Sequence, residues 1–316
     1  MMGKSNRVVG LVGVGVKNGS FNQGWDGYPR QKSNGEYVST DVCLKWAYRY
    51  FWNAQGKPVF SFAKMFKNKK NGIQYFNINE KYEDMFGAKV KTEDSVKFIN
   101  NLLNVVDIMN FGIAFAGDKT LSLTGVVQFG LGINKYENTE VETFQILSPF
   151  RNSSDTSQDK TQKTSGTYTF VDEAHYMYSF TVNPAQINEW KSIYENVEYT
   201  QEAYEDFKEA SLVAVSSLNT RTKTNCQNEF AMFIELKEGS LLYLPNLDQY
   251  VSFRKEDDEN IIDITILAEI LNSDNVKKEI DSVEIYYNSF NLTLKGDIDN
   301  AKKFNIITRG ELNERI

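Results

Sequence analysis

The chain has 316 residues, a formal net charge of −7, one histidine and two cysteines, with 41% apolar and 13% aromatic residues. That apolar share suffices for a buried core and excludes global disorder, and the length admits one large domain or two small ones. One His and two Cys exclude a four-ligand structural zinc site, and no apolar run approaches the ~20 residues of a membrane span.

The chain opens Met1-Met2-Gly3-Lys4, without the charged-then-apolar layout of a secretory signal, so a cytoplasmic protein is expected. Arg7 to Val16 is rich in Val and reads as a buried first strand, interrupted by Gly10, Gly13 and Gly15. A polar, glycine-containing loop from Lys17 to Tyr37 follows. Ser39 and Thr40 offer N-caps to a helix running to about Asn53, with Leu44, Tyr48 and Phe51 on one stripe. Lys45 and Arg49, four apart, share another face of it. Residues 54 to 90 are basic and aromatic, without clear period. Glu93 to Met109 reads as one helix and Ser122 to Ile133 as a strand. Pro149 to Gly166 is nearly all polar and reads as an exposed loop or hairpin tip. Tyr168 to Val182 is a long aromatic strand. Thr200 to Leu218 is an amphipathic helix, acidic in its first turns as the helix dipole favours. Phe230, Met232, Ile234 and Leu236 alternate with their neighbours and mark another strand, and Val283 to Leu294 supplies the last. Without its excursions the order is strand, helix, strand, strand, helix, strand. This predicts an α+β protein with the ferredoxin-like order of RNA-recognition-motif domains.

Charge is unevenly distributed. Between Val42 and Asn79 there is no Asp or Glu, yet Lys45, Arg49, Lys57, Lys64, Lys67, Lys69 and Lys70 fall there. Acidic residues collect in Glu195 to Glu209 and Glu256 to Glu259. A basic pole on an acidic body is compatible with phosphate binding at one face, whereas Lys67 to Lys70 alone reads as a solvated loop.

Few residues invite catalysis. His175 sits inside the aromatic strand, and nothing around it resembles a nucleophile elbow, so a structural role is expected. Gly10, Gly13 and Gly15 match a dinucleotide-binding pattern only loosely, lie within the strand, and read as close packing or close approach by a ligand. Carboxylates are abundant enough that any pair could be read as an acid/base couple; Asp26, in the loop after the first strand, is the one to examine, and in Trp25-Asp26-Gly27 it reads as a turn aspartate. Cys43 and Cys226 read as reduced thiols rather than a disulfide. The helix beginning near Asp41 directs its free N–H groups at the preceding loop, which suits a phosphate. Lys45 and Arg49 would extend that track, or else form a solvated helix face; charge pattern alone does not separate the two.

A series of motifs adds a family. Asn18-Gly19-Ser20, Pro29-Arg30, and Thr40-Asp41-Val42-Cys43-Leu44-Lys45 with Arg49 resemble the opening of the CRISPR Cascade backbone family, subtype I-B and I-C branch. In order follow Met85-Phe86-Gly87-Ala88, Thr124-Gly125-Val126-Val127-Gln128-Phe129, and Tyr176 to Pro184 ending Val182-Asn183-Pro184. These span residues 7 to about 237, and Ser282 to Leu294 is similar to the family's closing strand. Val126 departs from the family's proline, Trp46 from a basic residue, and the Asn-Gly loop is longer, with Phe21, Trp25 and Tyr28.

The resemblance implies a hand: an RRM-like palm (7–53 plus 120–300), helical fingers inserted at 54–119, and a thumb hairpin at 148–168. It implies a non-catalytic subunit that polymerises along crRNA, alongside cap, large, small and crRNA-processing subunits of the complex, with target DNA read by the guide. No cofactor and no membrane are implied. Guide contacts carried over by the resemblance are Lys17, Asn18, Arg30, Ser39, Thr40, Lys45, Arg49 and Gln128, with Arg221 and Lys223 from an acid-free loop and Arg151, Lys160 and Lys163 from the thumb. The alternative is a metal-dependent RNA-cleaving backbone subunit of type III style using Asp26.

Overall fold

The computed structural model describes residues 3–68, 72–147, 165–191, 193, 197–257 and 259–312. The strands are β1 (Val8–Gly19), β2 (Val38–Ser39), β3 (Met65–Asn68), β4 (Gly72–Tyr75), β5 (Gly112–Ala116), β6 (Thr120–Thr124), β7 (Val127–Phe129), β8 (Gly132–Asn134) and β9 (Val141–Leu147). Then follow β10 (Ser165–Val182), β11 (Cys226–Leu236), β12 (Ser252–Glu256), β13 (Glu259–Asp263), β14 (Ile280–Tyr287), β15 (Leu292–Lys295) and β16 (Lys302–Asn305). The helices are α1 (Asp41–Ala54), α2 (Ile78–Phe86), α3 (Ser95–Leu103), α4 (Val106–Phe111), α5 (Asn188–Lys191), α6 (Gln201–Val213), α7 (Thr265–Asn272) and α8 (Asp274–Lys277).

The main sheet runs β16-β14-β11-β1-β10-β8-β2, with β7 and β9 also paired to β10. Its centre, β11-β1-β10, is antiparallel throughout. Alternate residues of β1 point to opposite faces, and the two faces hold separate cores. Val8, Val12, Val14 and Val16 pack beneath α1 and α6. Val9 and Leu11 pack with Met232, Ile234, Ile262 and Leu267 on the side of α7 and a small sheet, β12-β13-β15. The glycines of β1 are packing residues: a Cβ at Gly10 would lie 2.0 Å from the Met232 carbonyl oxygen, and one at Gly15 would lie 2.2 Å from Glu229 Oε2.

α1 starts where Thr40 accepts the Cys43 N–H, and α6 where Thr200 accepts the Ala203 N–H. They meet through the stacked rings of Tyr48 and Phe207 and the Tyr48 hydroxyl, which donates to Ser211 at 2.8 Å. Burial holds the phenol of Tyr48 well above its usual range.

Four local readings are corrected. Glu93 to Met109 is two helices, α3 and α4, because Asn104 caps the first and Val105 is extended. Ser122 to Ile133 is three short strands: β6 pairs with β5, whereas β7 and β8 pair with β10. Residues 54 to 90 are not structureless, since they contain the β3–β4 hairpin and α2 with its Asn77/Glu80 capping box. Val283 to Leu294 splits into β14 of the main sheet and β15 of the small one. No helix among the described residues is long and apolar enough to cross a membrane.

Candidate nucleic-acid interface

Lys17 and Asn18 end β1, where the backbone turns: Asn18 takes a left-handed φ of 52°. The turn is tied to residues 222–225. Lys17 N–H donates to the Asn225 carbonyl at 3.1 Å, Ser20 N–H to the Thr222 carbonyl at 2.8 Å, and Asn225 Nδ2 to the Asn18 carbonyl at 3.0 Å. Arg221 and Lys223 are thereby placed beside Lys17. The Lys223 ammonium donates to the Phe21 carbonyl and lies 5.3 Å from the centre of that ring.

The same loop carries Arg30 to the foot of α1. Arg30 N–H donates to the Asn22 carbonyl at 3.1 Å, and Asn22 Oδ1 accepts the Thr40 N–H at 2.9 Å. The Cys43 thiol donates to the Phe21 carbonyl at 3.1 Å. Burial raises the pKa of that thiol, and the charges of Lys223 and Arg30 oppose the rise. None of the ion pairs among the described residues involves Lys17, Arg30, Arg221 or Lys223. The result is a corner of positive charge outside these ion pairs, built from the end of β1, the loop after it, the start of α1 and the turn before β11, with Glu173 of β10 opposite Lys17.

Other expected contacts lie elsewhere. Lys45 is paired with Asp41 at 2.9 Å, its side chain 12% exposed. Arg49, 15% exposed, donates from Nε to Asp107 Oδ2 at 3.0 Å. Asp107 is fully buried and also accepts the Phe60 N–H at 2.8 Å and the Ser61 N–H at 3.0 Å. Both cations lie against the Phe111 ring. They are held inward by carboxylates, and Arg49 is the counter-ion of a buried charge rather than a surface cation. Ser39 is buried, beside the Cys43 thiol and the Tyr178 hydroxyl, and the Thr40 amide is taken by Asn22. Gln128 pairs with Thr181, eight residues along β10 from the Glu173 that faces Lys17, roughly 26 Å away by strand rise. Its side-chain amide donates to the Gly125 carbonyl at 2.9 Å. Arg151, Lys160, Lys163 and the tip of the expected thumb lie outside the described residues.

Asp26 closes a turn. Its Oδ1 accepts the Tyr28 N–H at 3.0 Å, while Gly24 N–H donates to the Tyr28 carbonyl at 2.8 Å. Among the described residues no group of three His, Cys, Asp or Glu side chains is placed to hold a metal.

His175 has the structural role its setting predicts. Nδ1 contacts Glu229 Oε1 at 2.8 Å, Nε2 contacts Glu173 Oε1 at 3.2 Å, and the ring stacks on Phe253 at 3.6 Å. Burial alone would favour neutral imidazole, but the Glu229 charge and hydrogen bonds to both carboxylates outweigh it and raise the pKa to about 9. The bond to His175 holds Glu173 at about 2, assisted by Lys255. The cluster fastens the small sheet, through Phe253 and Lys255, onto β10.

Sequence reasoning missed Asp107 and the exposed rings. An acid inside the apolar run Val105-Val106-Asp107-Ile108 was the available signal for the first. No one-dimensional signal marks which aromatics face solvent, yet Trp25 is fully exposed and Phe144 is 54% exposed.

A family profile described as CRISPR-associated protein Cas7 matches residues 6–270. Among curated proteins none matches. Among solved structures, a chain of a "CRISPR RNA-guided surveillance complex, pre-nicking" is similar at a TM-score of 0.53 and 12% identity, covering 95% of this chain and 96% of that one. A chain of a "CRISPR RNA-guided surveillance complex" is similar at a TM-score of 0.51 and 12% identity, covering 98% and 95%. At this identity the likeness is one of fold.

Proposed function

The chain belongs to the CRISPR-associated Cas7 family, and from that premise we propose that it is a non-catalytic backbone subunit of a type I Cascade, of subtype I-B, that binds guide RNA. The observation that carries the reading is the corner of Lys17, Arg30, Arg221 and Lys223. Cations that form no ion pair among the described residues lose least when they bind phosphate, and each contact releases counter-ions from the strand. Asn18 and the backbone turn around it accompany them.

The central strand order β11-β1-β10 with β7 and β8 outside β10, and α1 and α6 on one face, supports a ferredoxin-like palm at 7–53 plus 120–300. Fingers occupy 54–119, and the β9–β10 arm leads into a thumb at 148–168. Further copies stack head-to-tail along the guide, as a heterologous contact that does not close generates a filament. Cap, large, small and crRNA-processing subunits complete the complex in the cytoplasm, and target DNA is read through the guide's base pairs. The non-catalytic part of the reading takes Asp26 as a turn residue, its Oδ1 accepting the Tyr28 N–H.

The test is to purify the protein from its host and sequence the RNA that accompanies it. Short RNAs of repeat-plus-spacer form, depleted by Lys17→Ala with Arg221→Ala, are expected. Loss of those two cations should flatten the salt dependence on a single strand by about 0.7 in slope per contact. Recovery of host messages, or of no RNA, would overturn the proposal, and Mg²⁺-dependent cleavage abolished by Asp26→Ala would overturn its non-catalytic part.

A further inference from the structure

We propose that the rings beside the basic corner form a stacking platform for unpaired bases of a single strand, with Trp25 and Phe144 as its open faces. The inference rests on the nucleic-acid reading above and adds what the phosphate contacts leave out, the means of holding bases. Trp25 is fully exposed and Tyr28 half exposed. Their exposure is built in, because the loop tip is held by five hydrogen bonds, one of them from Gly27 N–H to the Gly24 carbonyl at 3.1 Å. Gly24 N–H donates to the Tyr28 carbonyl, Tyr28 N–H donates to Asp26 Oδ1, and Gln23 Nε2 reaches the Gly27 carbonyl at 2.9 Å and the Thr169 carbonyl at 3.1 Å. The last bond pins the loop to the β9–β10 arm.

On that arm three rings adjoin one another. Tyr168 is the cross-strand partner of Phe144, and Phe170 lies 5.2 Å from Tyr168 and 5.3 Å from Phe144. The Arg221 guanidinium lies over Tyr168 at 4.5 Å. Acidic residues gather at the end nearer the main sheet, where Glu142 pairs with Phe170 and Asp172 Oδ1 accepts the Glu140 N–H. Phe170 is buried and supports the row, whereas Phe144 presents its ring to solvent. Of the corner's cations, Arg221 is the one in contact with the row, and it forms no ion pair among the described residues. Exposed rings beside such a cation suit a ligand with both aromatic faces and negative charge, which is a single-stranded nucleic acid. Stacking tolerates every base, so the platform would hold the strand without selecting its sequence.

The test uses the full chain, a labelled single-stranded RNA and a ribose-phosphate strand of equal length lacking bases. The wild type should bind the base-bearing strand about tenfold more tightly or better, the effect of a single stacked base. Trp25→Ala with Phe144→Ala should remove that preference and leave affinity for the abasic strand unchanged, and RNA should quench tryptophan emission in the wild type but less in Trp25→Ala. Both substitutions are at exposed side chains, so folding should be retained. A preference that survives both substitutions, or an equal loss on the two strands, would overturn the platform while leaving the phosphate reading intact. So would a loss of self-association without nucleic acid, since the rings would then seat a second copy. Binding of neither strand would overturn both readings together.

Discussion

Replacing Arg49 by alanine separates two roles for one cation. If Arg49 held guide phosphate from a solvated face, its loss would weaken RNA binding and leave stability nearly unchanged. The structure instead makes it the counter-ion of Asp107, which is fully buried. Removing one partner of such a pair costs about 3–5 kcal/mol, because the remaining charge is uncompensated in a poor solvent for it. Asp107 would keep two of its three hydrogen bonds, from the Phe60 and Ser61 amides, so the lower end, about 3 kcal/mol, is expected. Urea unfolding followed by circular dichroism, compared with Asp107→Asn and with the double variant, measures this. The double variant should recover part of the loss, since a neutral amide no longer needs a cation. An Arg49→Ala midpoint equal to the wild type, combined with lost RNA affinity, would refute the reasoning and return Arg49 to the RNA.

Other expectations follow from the same geometry. Gly15→Ala should destabilise by about 1–3 kcal/mol, the usual range for overpacking, because its Cβ would press on the buried Glu229 carboxylate, whereas Gly166→Ala, with open space around it, should be near neutral; equal unfolding midpoints for both would contradict this. His175 is the only histidine, so its imidazole proton signal can be followed by NMR and should titrate near pH 9. Its folded pKa is raised above the unfolded value of about 6.5, so the stabilisation is complete below that value and fades as pH rises through 9. The unfolding midpoint should therefore fall between about pH 7 and 9, and His175→Gln should lack that fall; a signal titrating near 6.5 would contradict the cluster. Burial pushes the Cys226 thiol up to about 12, so it should resist alkylation at pH 8 until the protein is unfolded, and rapid native labelling would count against its placement.

Strands and helices with a clear period were legible in the sequence. β1, β10, β11, α1 and α6 lie where Val runs, alternation and the Thr40 and Thr200 caps place them, because each is specified by its own residues. The excursions were less legible. α3 and α4 read as one helix because their apolar stripes are nearly continuous, and only the local backbone at Asn104 and Val105 breaks them. β6, β7 and β8 read as one strand because choice of partner strand is tertiary. In the candidate site, Lys17, Arg30, Arg221 and Lys223 converge from three distant stretches, while Lys45 and Arg49, adjacent on one helix face, turn inward.

The reason is that a run without acids in sequence is not a surface without acids in space. The basic stretch from 42 to 79 draws its partners from elsewhere in the chain: Lys45 from Asp41, Arg49 from Asp107, Lys57 from Asp206 and Lys64 from Asp84. Such pairs contribute little each where exposed, but they remove the charge that a phosphate would meet. The corner keeps its charge because its cations sit on turns whose backbone groups bond to one another, and none of the four forms an ion pair among the described residues, the Glu173 opposite Lys17 being taken by His175 and Lys255. Net charge then matters less than position. Screening at physiological salt acts over about 8 Å, so Glu235, opposite Val8 and nine residues along β1 from Lys17, barely opposes a phosphate at that corner. An acidic protein can in this way present a local polyanion site, and the ion-pair partners of each cation, rather than their number, decide where it lies.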